Sequence, residues 1–481
     1  MSLTQKTLGG FFWAFLERFG AQALQMVIFI VLARILAPEA FGLIGMLAVF
    51  IAVSQSITDS GFGQALIQKK DTDEIDYSSV FYINLLVSGF IYLLLYLSAP
   101  YIASFYSQPE LTALVRVLGL RFIISAFSMV QITKLTKEVR FKKLMFARLP
   151  STLLGGIAGI WAAMTGFGVW SLVIQQLTYI TSYSLQVWIQ SKWLPKWVFD
   201  WSRVKSLFDF GSKMMVEGVL SSIYQNLYEL MIGRYFSTAQ VGFYTQANKL
   251  KQVPVQNISN ALGRVTFPVL AEIQHDDVRL KGAYKKVVRQ IFLIISPVMV
   301  GGIVLAEPLF RMVLTEKWLP AVPYFQWLCV SGLFYPVNAY NLNILKVKGR
   351  SDLFLYLGLV KKGIAILGMF IFIQFSVLAL VIYRAFYSIF AYYINSYYSG
   401  KFIDYGIKEQ VIDIWKFLAA AVIAGSITWG GLELLQWADL LSILTGILSG
   451  ATIYGTIIYK VEYSILKYSK QTIRNFRGFK T

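Results

Sequence analysis

The sequence predicts an all-α polytopic membrane protein. It is expected to have fourteen transmembrane helices, in two six-helix lobes related by a pseudo-two-fold along the membrane normal plus two extra C-terminal helices. Three observations predict this class. The 481-residue chain is 57% hydrophobic and only 14% charged, where soluble chains approach about a quarter. Apolar runs of about 20 residues, the length that crosses a bilayer core, recur from end to end. Lys and Arg collect in alternate connections between those runs.

These figures exclude a soluble enzyme. They also exclude reading the net charge of +19 as a nucleic-acid surface, because apolar runs leave no soluble basic face. One cysteine, Cys329, excludes a disulfide framework, and one histidine, His275, leaves no set for His-based metal or triad chemistry. No Walker A, HExxH or GxSxG pattern occurs, so no cofactor and no enzymatic activity are expected.

Spans are expected at 11–33, 41–58, 78–99, 112–131, 149–165, 168–190, 209–233, 241–263, 290–310, 320–345, 353–374, 377–399, 417–435 and 440–459. The first run is too long for a signal h-region and lacks a small-residue cleavage site, so it counts as a span. With the N-terminus inside, the inner connections and termini carry 31 Lys and Arg; the outer ones carry 4, Arg34, Arg234, Arg311 and Lys317. That split obeys the positive-inside rule along the whole chain, so both termini are expected in the cytoplasm. No outer connection exceeds about a dozen residues, which leaves no room for an outer domain.

Three local features have simple readings. The 191–207 connection sets Trp193, Trp197 and Trp201 at helical spacing beside Lys192, Lys196, Arg203 and Lys205, the signature of an interfacial helix or a belt segment; Pro195 opposes a regular helix. The acidic cluster Asp71, Asp73, Glu74 and Asp76 reads as a solvated loop. Gly155 with Gly159, and Gly446 with Gly450, form GxxxG pairs that suit close helix packing.

A shift of 200 residues brings the first span onto the seventh. Glu17 then meets Glu217, Gln25 meets Gln225, Arg34 meets Arg234 and Gly42 meets Gly242. A second echo sets VLGLRFIISA (117–126) against VSGLFYPVNA (330–339). Polar residues rarely recur by accident inside spans, so the repeat unit is six spans. An even unit keeps both copies in the same orientation, with a path between them, as in transporters. The lobes are expected at 1–205 and 206–400, followed by a region 401–481 with the last two spans and a basic cytoplasmic tail.

Polar residues at depth are the candidate functional set. A Lys or Arg at the centre of a span costs about 2.5–3.5 kcal/mol on insertion scales, so each needs a partner, water or a ligand. Lys213, Lys361 and Lys362 lie near inner ends of spans and can snorkel. Arg121 lies near mid-span, Arg116 further outward, Arg18 in the inner third of the first span and Arg384 in the outer third of the twelfth. Lys249 and Lys251 lie midway along a span that also carries Gln246, Asn248, Gln252, Gln256, Asn257 and Asn260. Such a helix lines a wet cavity or packs against other polar helices, and the cavity is the favoured reading. Glu17 and Glu217, at matching repeat positions, either form ion pairs or couple transport to a cation or proton; Glu229 joins them as a candidate. Asn338, Asn341 and Asn343 near Pro336 add cavity hydrogen bonds or satisfy backbone freed by the proline. The surplus of positive charge at depth favours an anionic head group, with Arg suited to phosphate, and argues against export of organic cations.

The chain also resembles the polysaccharide flippases of the multidrug/oligosaccharidyl-lipid/polysaccharide (MOP) exporter superfamily, the Wzx-type proteins. The matching segments are LARILAPEAFGLIG (32–45), DSGFGQALIQKKD (59–71), FYSQPELTALVRVLGL (105–120), VRFKKL (139–144) and GFGVWSLVIQQL (166–177). Further on are IGRYFSTAQVGFYTQANKL (232–250), FPVLAEIQHD (267–276) and EKWLPAVPYFQWL (316–328). The resemblance implies a bacterial inner-membrane protein that flips undecaprenyl-diphosphate-linked oligosaccharide repeat units, for lipopolysaccharide, capsule or exopolysaccharide, by alternating access. It implies a cationic cavity between two six-helix lobes, with the polysaccharide polymerase and glycosyltransferases of the same route as partners beside membrane lipid. The family has no strict catalytic signature to carry over. The substrate-binding set therefore rests on depth alone: Arg18, Arg116, Arg121, Lys249, Lys251, Arg384, Gln252, Gln256 and Asn260.

Three rival readings remain open at this stage. A lipid II flippase or a multidrug exporter of the same superfamily would share the architecture. A membrane-bound polymerase or glycosyltransferase of the same pathway would need a large outer loop or an acidic surface cluster, and neither is visible. A scaffold without transport would leave the charges at depth without a purpose.

Overall fold

The computed structural model describes the backbone of residues 3–59, 61–435 and 438–461. Outside the described residues lie the side chains of 1–12, 14, 15, 18, 60, 209, 210, 260–265, 267–269, 435–437 and 462–481, so most of the basic tail is among them. The described residues form α-helices and one short 3-10 helix, with no strand among them. Eight of these helices are long and apolar enough to cross a membrane, or nine if one bent pair counts as a single span. The protein is a multi-pass membrane protein.

By backbone packing the chain divides into two compact units, Met1–Thr245 and Gln246–Thr481. The first contains α1 (Leu3–Ile35), α2 (Pro38–Met46), α3 (Ala48–Asp59), α4 (Phe62–Gln68), α5 (Glu74–Tyr106), α6 (Glu110–Lys137), α7 (Phe141–Met164), α8 (Trp170–Ser191), α9 (Trp201–Gln225) and α10 (Leu227–Tyr235). α11 (Thr238–Glu272) begins in the first unit and continues in the second. The boundary lies beyond the expected lobe boundary at 205/206 because α9 packs on α3, α4 and α5, and α10 packs on α2.

Local chemistry starts and stops these helices. Pro38 opens α2, where its missing N–H costs nothing. Asp73 and Asp76 form a reciprocal capping box at the start of α5. The Asp76 backbone N–H holds the Asp73 carboxyl below the usual carboxylate range. Asp200 caps α9 through the backbone N–H groups of Ser202 and Arg203. Two expected spans are broken in unit 1: 41–58 turns at Leu47, and 209–233 turns at Asn226, whose amide nitrogen donates to the Ser222 carbonyl at 2.8 Å.

Unit 1 is built on the pairs α5/α6 and α7/α8, with α1 against α7 and α6 against α8. Gly155 and Gly159 of α7 lie against Gln175 of α8, as close packing requires. One core cluster joins Phe62, Leu66, Tyr77, Val80 and Phe81 to Trp193, Val204 and Leu207. Trp193 is therefore 5% exposed, and its indole N–H donates to Glu74 Oε2 at 2.6 Å. Trp197 and Trp201 are 95% and 62% exposed, so only these two keep the expected surface role. Residues 192–200 are not helical.

Of the acidic cluster at 71–76, Asp71 and Asp73 lie exposed in the connection before α5 as expected, whereas Glu74 and Asp76 do not form a solvated loop. Asp76 is 0% exposed and accepts Lys69 Nζ at 2.7 Å on both oxygens, with Arg203 Nη1 at 3.4 Å. Lys134 pairs with Glu74 at 3.3 Å. Lys137 donates to the Leu66 carbonyl and to Thr72 Oγ1, both at 2.9 Å. The sequence signals only composition here. The fold brings the basic ends of α6 and α9 onto the acidic start of α5, so Glu74 and Asp76 are paired internally.

Unit 2 holds the rest of α11 with α12 (Asp277–Val304), α13 (Ala306–Leu314), the 3-10 helix Glu316–Ala321, α14 (Val322–Val347), α15 (Ser351–Phe372), α16 (Val377–Ile403), α17 (Ile407–Leu435) and α18 (Asp439–Val461). The expected span 290–310 is broken at Leu305, between α12 and α13. α14 packs on α16, α12 on α17 and α14, and α17 on α18. A buried polar chain ties four of them, α12, α14, α17 and α16: Tyr284 Oη donates to Asn341 Oδ1, Asn341 Nδ2 donates to Gln410 Oε1 at 3.3 Å, and Gln410 Nε2 reaches Ser399 Oγ at 2.8 Å. Lys285 meets Glu409 at 3.2 Å and Asp413 at 3.1 Å beside it. Lys361 does not snorkel. It is 8% exposed, and its Nζ donates to Asn395 Oδ1 at 2.6 Å, while Asn395 donates to Asn338 Oδ1 at 2.9 Å. Asn338 and Asn341 thus bond to neighbouring helices.

Asp76→Ala should lower the unfolding free energy of the purified protein in detergent by about 2 kcal/mol, because it strands Lys69 and Arg203 and opens the α5 cap. Asp352→Ala, which breaks an exposed pair with Arg350, should leave the thermal midpoint almost unchanged.

Candidate functional site

A cavity of about 630 Å3 is sunk into unit 1, walled by α3, α4, α6, α8 and α9 with one residue of α5. Its shape follows from the turn between α3 and α4. Gly61 has φ 65°, a left-handed conformation that favours glycine, and a Cβ there would stand 2.6 Å from the Cα of Gly211 on α9. This close approach brings the last turn of α3, the polar face of α6 and the middle of α9 around one space.

The lining carries the neutral polar side chains Gln55, Ser56, Thr58, Gln64, Asn84, Ser125, Ser128, Thr133 and Thr136 among apolar ones such as Ile67, Met129, Ile132, Ile180, Met214 and Met215. Three charged residues join them, Asp59, Arg121 and Glu217. Gln55 Nε2 donates to Asp59 Oδ1 at 2.8 Å, and Arg121 Nη1 donates to Gln176 Oε1 at 3.1 Å. Arg121 and Asp59 also interact electrostatically, so the cation is answered within the wall. Ser56 and Ser222 share a hydrogen bond of 2.9 Å.

Two groups in this wall lack partners. Asn84 is 1% exposed, and both its amide atoms are without a hydrogen-bond partner among the described residues; Thr58 Oγ1 is in the same state at 2% exposure. Gln131, on α6 with the lining residues Ser128 and Met129, is 0% exposed and equally unmatched. Buried amides normally find partners, and an orphan is a cost the fold carries for some reason.

Among the residues singled out by depth, Arg121 and Glu217 meet in this cavity. The others lie elsewhere. Glu17 pairs with Arg148 at 2.9 Å. Arg116 stacks over the Tyr96 ring at 4.3 Å and donates from Nε to the Tyr96 carbonyl at 3.4 Å. Glu229 is 6% exposed in unit 1, close enough to Tyr106 to interact with it. In unit 2, Lys251 is 4% exposed and runs beside Gly332 of α14. Lys249, on another face of α11, is exposed. Gln252 and Gln256 follow Lys249 at helical spacing and are joined by a 3.2 Å hydrogen bond. Arg384 is half-buried on α16. Arg18 and Asn260 lie outside the described side chains.

The cavity residues missing from the sequence reading are Asp59, Asn84 and the glutamines. Asp59 ends a span and reads as a loop residue. Asn84 interrupts SSVFYINLLVSGF, the same polar-in-span signal that picked out the charges. Ranking by charge passed over it.

A profile of the family described as "Polysaccharide biosynthesis protein" matches residues 31–323. The chain is 27% identical to the teichuronic acid biosynthesis protein TuaB of Bacillus subtilis over 74% of each chain. It is 27% identical to the succinoglycan biosynthesis transport protein ExoT of Rhizobium meliloti, over 73% of this chain and 71% of that one. With the lipopolysaccharide biosynthesis protein WzxC of Escherichia coli it shares 25% identity over 73% of this chain and 72% of that one. Among solved structures, the lipid II flippase MurJ in an inward closed conformation aligns with a TM-score of 0.75 at 14% identity, covering 94% of this chain and 99% of that one. An inward-facing MATE-family multidrug resistance transporter of the MOP superfamily aligns with a TM-score of 0.61 at 17% identity, covering 79% and 96%. At these identities the two structures share the fold.

Asn84→Leu removes an unmatched buried amide and keeps its shape. It should raise the unfolding free energy in detergent by about 1 kcal/mol. A loss of stability would mean that the amide is partnered.

Proposed function

Because the chain belongs to the polysaccharide biosynthesis protein family, we propose that it is a flippase for undecaprenyl-diphosphate-linked oligosaccharide repeat units, working by alternating access. One observation carries the reading: a chain of a polysaccharide-biosynthesis family has the fold of membrane exporters. The substrate joins a polar glycan to a polyprenyl chain, and moving it needs a wet path for the sugar beside lipid for the tail. The polar cavity in unit 1 is a wet space of that kind.

In this reading two six-helix lobes, 1–205 and 206–400, rock about a pseudo-two-fold along the membrane normal, with fourteen spans in all. A contact within unit 1 supports that axis. A Cβ on Gly42 would strike the Thr238 carbonyl and one on Gly242 the Pro38 carbonyl, so two repeat-matched glycines lie against each other. Only residues near a two-fold axis meet their own counterparts. The 31-to-4 division of Lys and Arg supports an inner-membrane protein with both termini cytoplasmic. The stripe Lys249, Gln252 and Gln256, exposed at its two ends, is assigned to the path with Arg121, with Arg18, Arg116, Lys251, Arg384 and Asn260 as further members. Glu217 is assigned to coupling, with Glu17 and Glu229 as alternatives. The polymerase and glycosyltransferases of the same route would act beside it.

Deletion of the gene should cause lipid-linked repeat units to accumulate in the cytoplasmic leaflet, detected by extraction and mass spectrometry of the lipid-linked sugars. Absence of accumulation would sink the reading. Purified protein in liposomes, offered the lipid-linked oligosaccharide and lipid II in turn, separates this function from that of MurJ. Lys249→Ala should slow transport about tenfold, the scale of one lost charge-assisted hydrogen bond, with an unchanged thermal midpoint.

A further inference from the structure

The cavity of unit 1 has the wrong charge for a diphosphate. Its three charged lining residues are one cation and two carboxylates, and the cation, Arg121, already donates to Gln176 and interacts with Asp59. Glu217 then leaves the wall with a negative surplus. An added carboxylate or phosphate would meet net repulsion from this wall. The remaining polar lining is amide and hydroxyl, groups that both donate and accept, set among apolar side chains such as Ile67, Met129, Ile132, Met214 and Met215. Sugar hydroxyls also do both, whereas an ionised diphosphate only accepts.

We propose, building on the flippase reading, that this cavity is a subsite for the neutral, hydroxyl-rich sugars of the substrate, and that it disfavours hexuronic acids. Its volume of about 630 Å3 lies within the range of small-molecule sites, about 300–1,000 Å3. Asn84 stands in the same wall, 1% exposed and with neither amide atom hydrogen-bonded among the described residues. The diphosphate is held outside this cavity.

The test uses two undecaprenyl-diphosphate-linked tetrasaccharides. One contains only neutral hexoses; in the other, one hexose carries a carboxylate in place of its C6 hydroxymethyl. Binding is measured calorimetrically on the full chain in detergent, and transport in liposomes. The neutral compound should bind and cross at least tenfold better. Asp59→Asn with Glu217→Gln should narrow that preference below threefold, and Glu217→Gln alone, at an exposed position, should narrow it in part. Equal binding of both compounds by the native protein, or an unchanged preference in folded Glu217→Gln protein, overturns the subsite. Tighter binding of the neutral compound without transport of either leaves the subsite standing and overturns the flippase reading. Equal transport of both does the reverse.

Discussion

A polar side chain on a membrane helix has two stable environments, another polar group of the protein or a space that holds water. Hydrocarbon offers neither a donor nor an acceptor, so every Gln, Asn, Lys and Asp in these helices has to be placed by the fold. Much of this structure follows from how that demand is met. Asp76 is wholly buried yet matched by Lys69 and Arg203, and in unit 2 Asn341 and Gln410 are locked into one chain with Tyr284 and Ser399. Lys361 rests on Asn395, which is held in turn by Asn338.

The cavity in unit 1 is where the demand is met differently. Its amides and hydroxyls gather around empty space, and Asn84 and Thr58 are left unmatched at its wall. The polar groups around Asp76 and Asn341 are hydrogen-bonded to neighbouring helices, whereas Asn84 and Thr58 at the cavity wall are not. The same contrast separates the residues chosen by depth. Glu17 and Arg116 are satisfied locally, by Arg148 and Tyr96, while Arg121 and Glu217 border the space.

Family and fold contribute different things. Membership in a polysaccharide-biosynthesis family bears on the chemistry of the route, and likeness to MurJ and to a MATE-family transporter bears on the fold. Neither bears on the glycan. That question falls to the charge and hydrogen-bonding character of the cavity in unit 1, on which the neutral-sugar proposal rests.

By itself the sequence determined the class of protein and the approximate course of its helices, because hydrophobic length and the distribution of Lys and Arg are local properties that the bilayer reads directly. It also marked the paired residues Gly42 and Gly242, which prove to touch. It could not tell which charges are spent. Asp76 and Lys361 looked solvated or able to snorkel, and Trp193 looked like a surface anchor, because sequence carries no record of what faces a side chain across a helix interface. Only the tertiary structure decided that Asp76 and Trp193 are consumed in the packing of α5, α6 and α9, and that Asp59, Asn84 and Arg121, far apart in the chain, border one cavity. The physical reason is that burial and pairing belong to two surfaces at once, and each segment specifies only one of them.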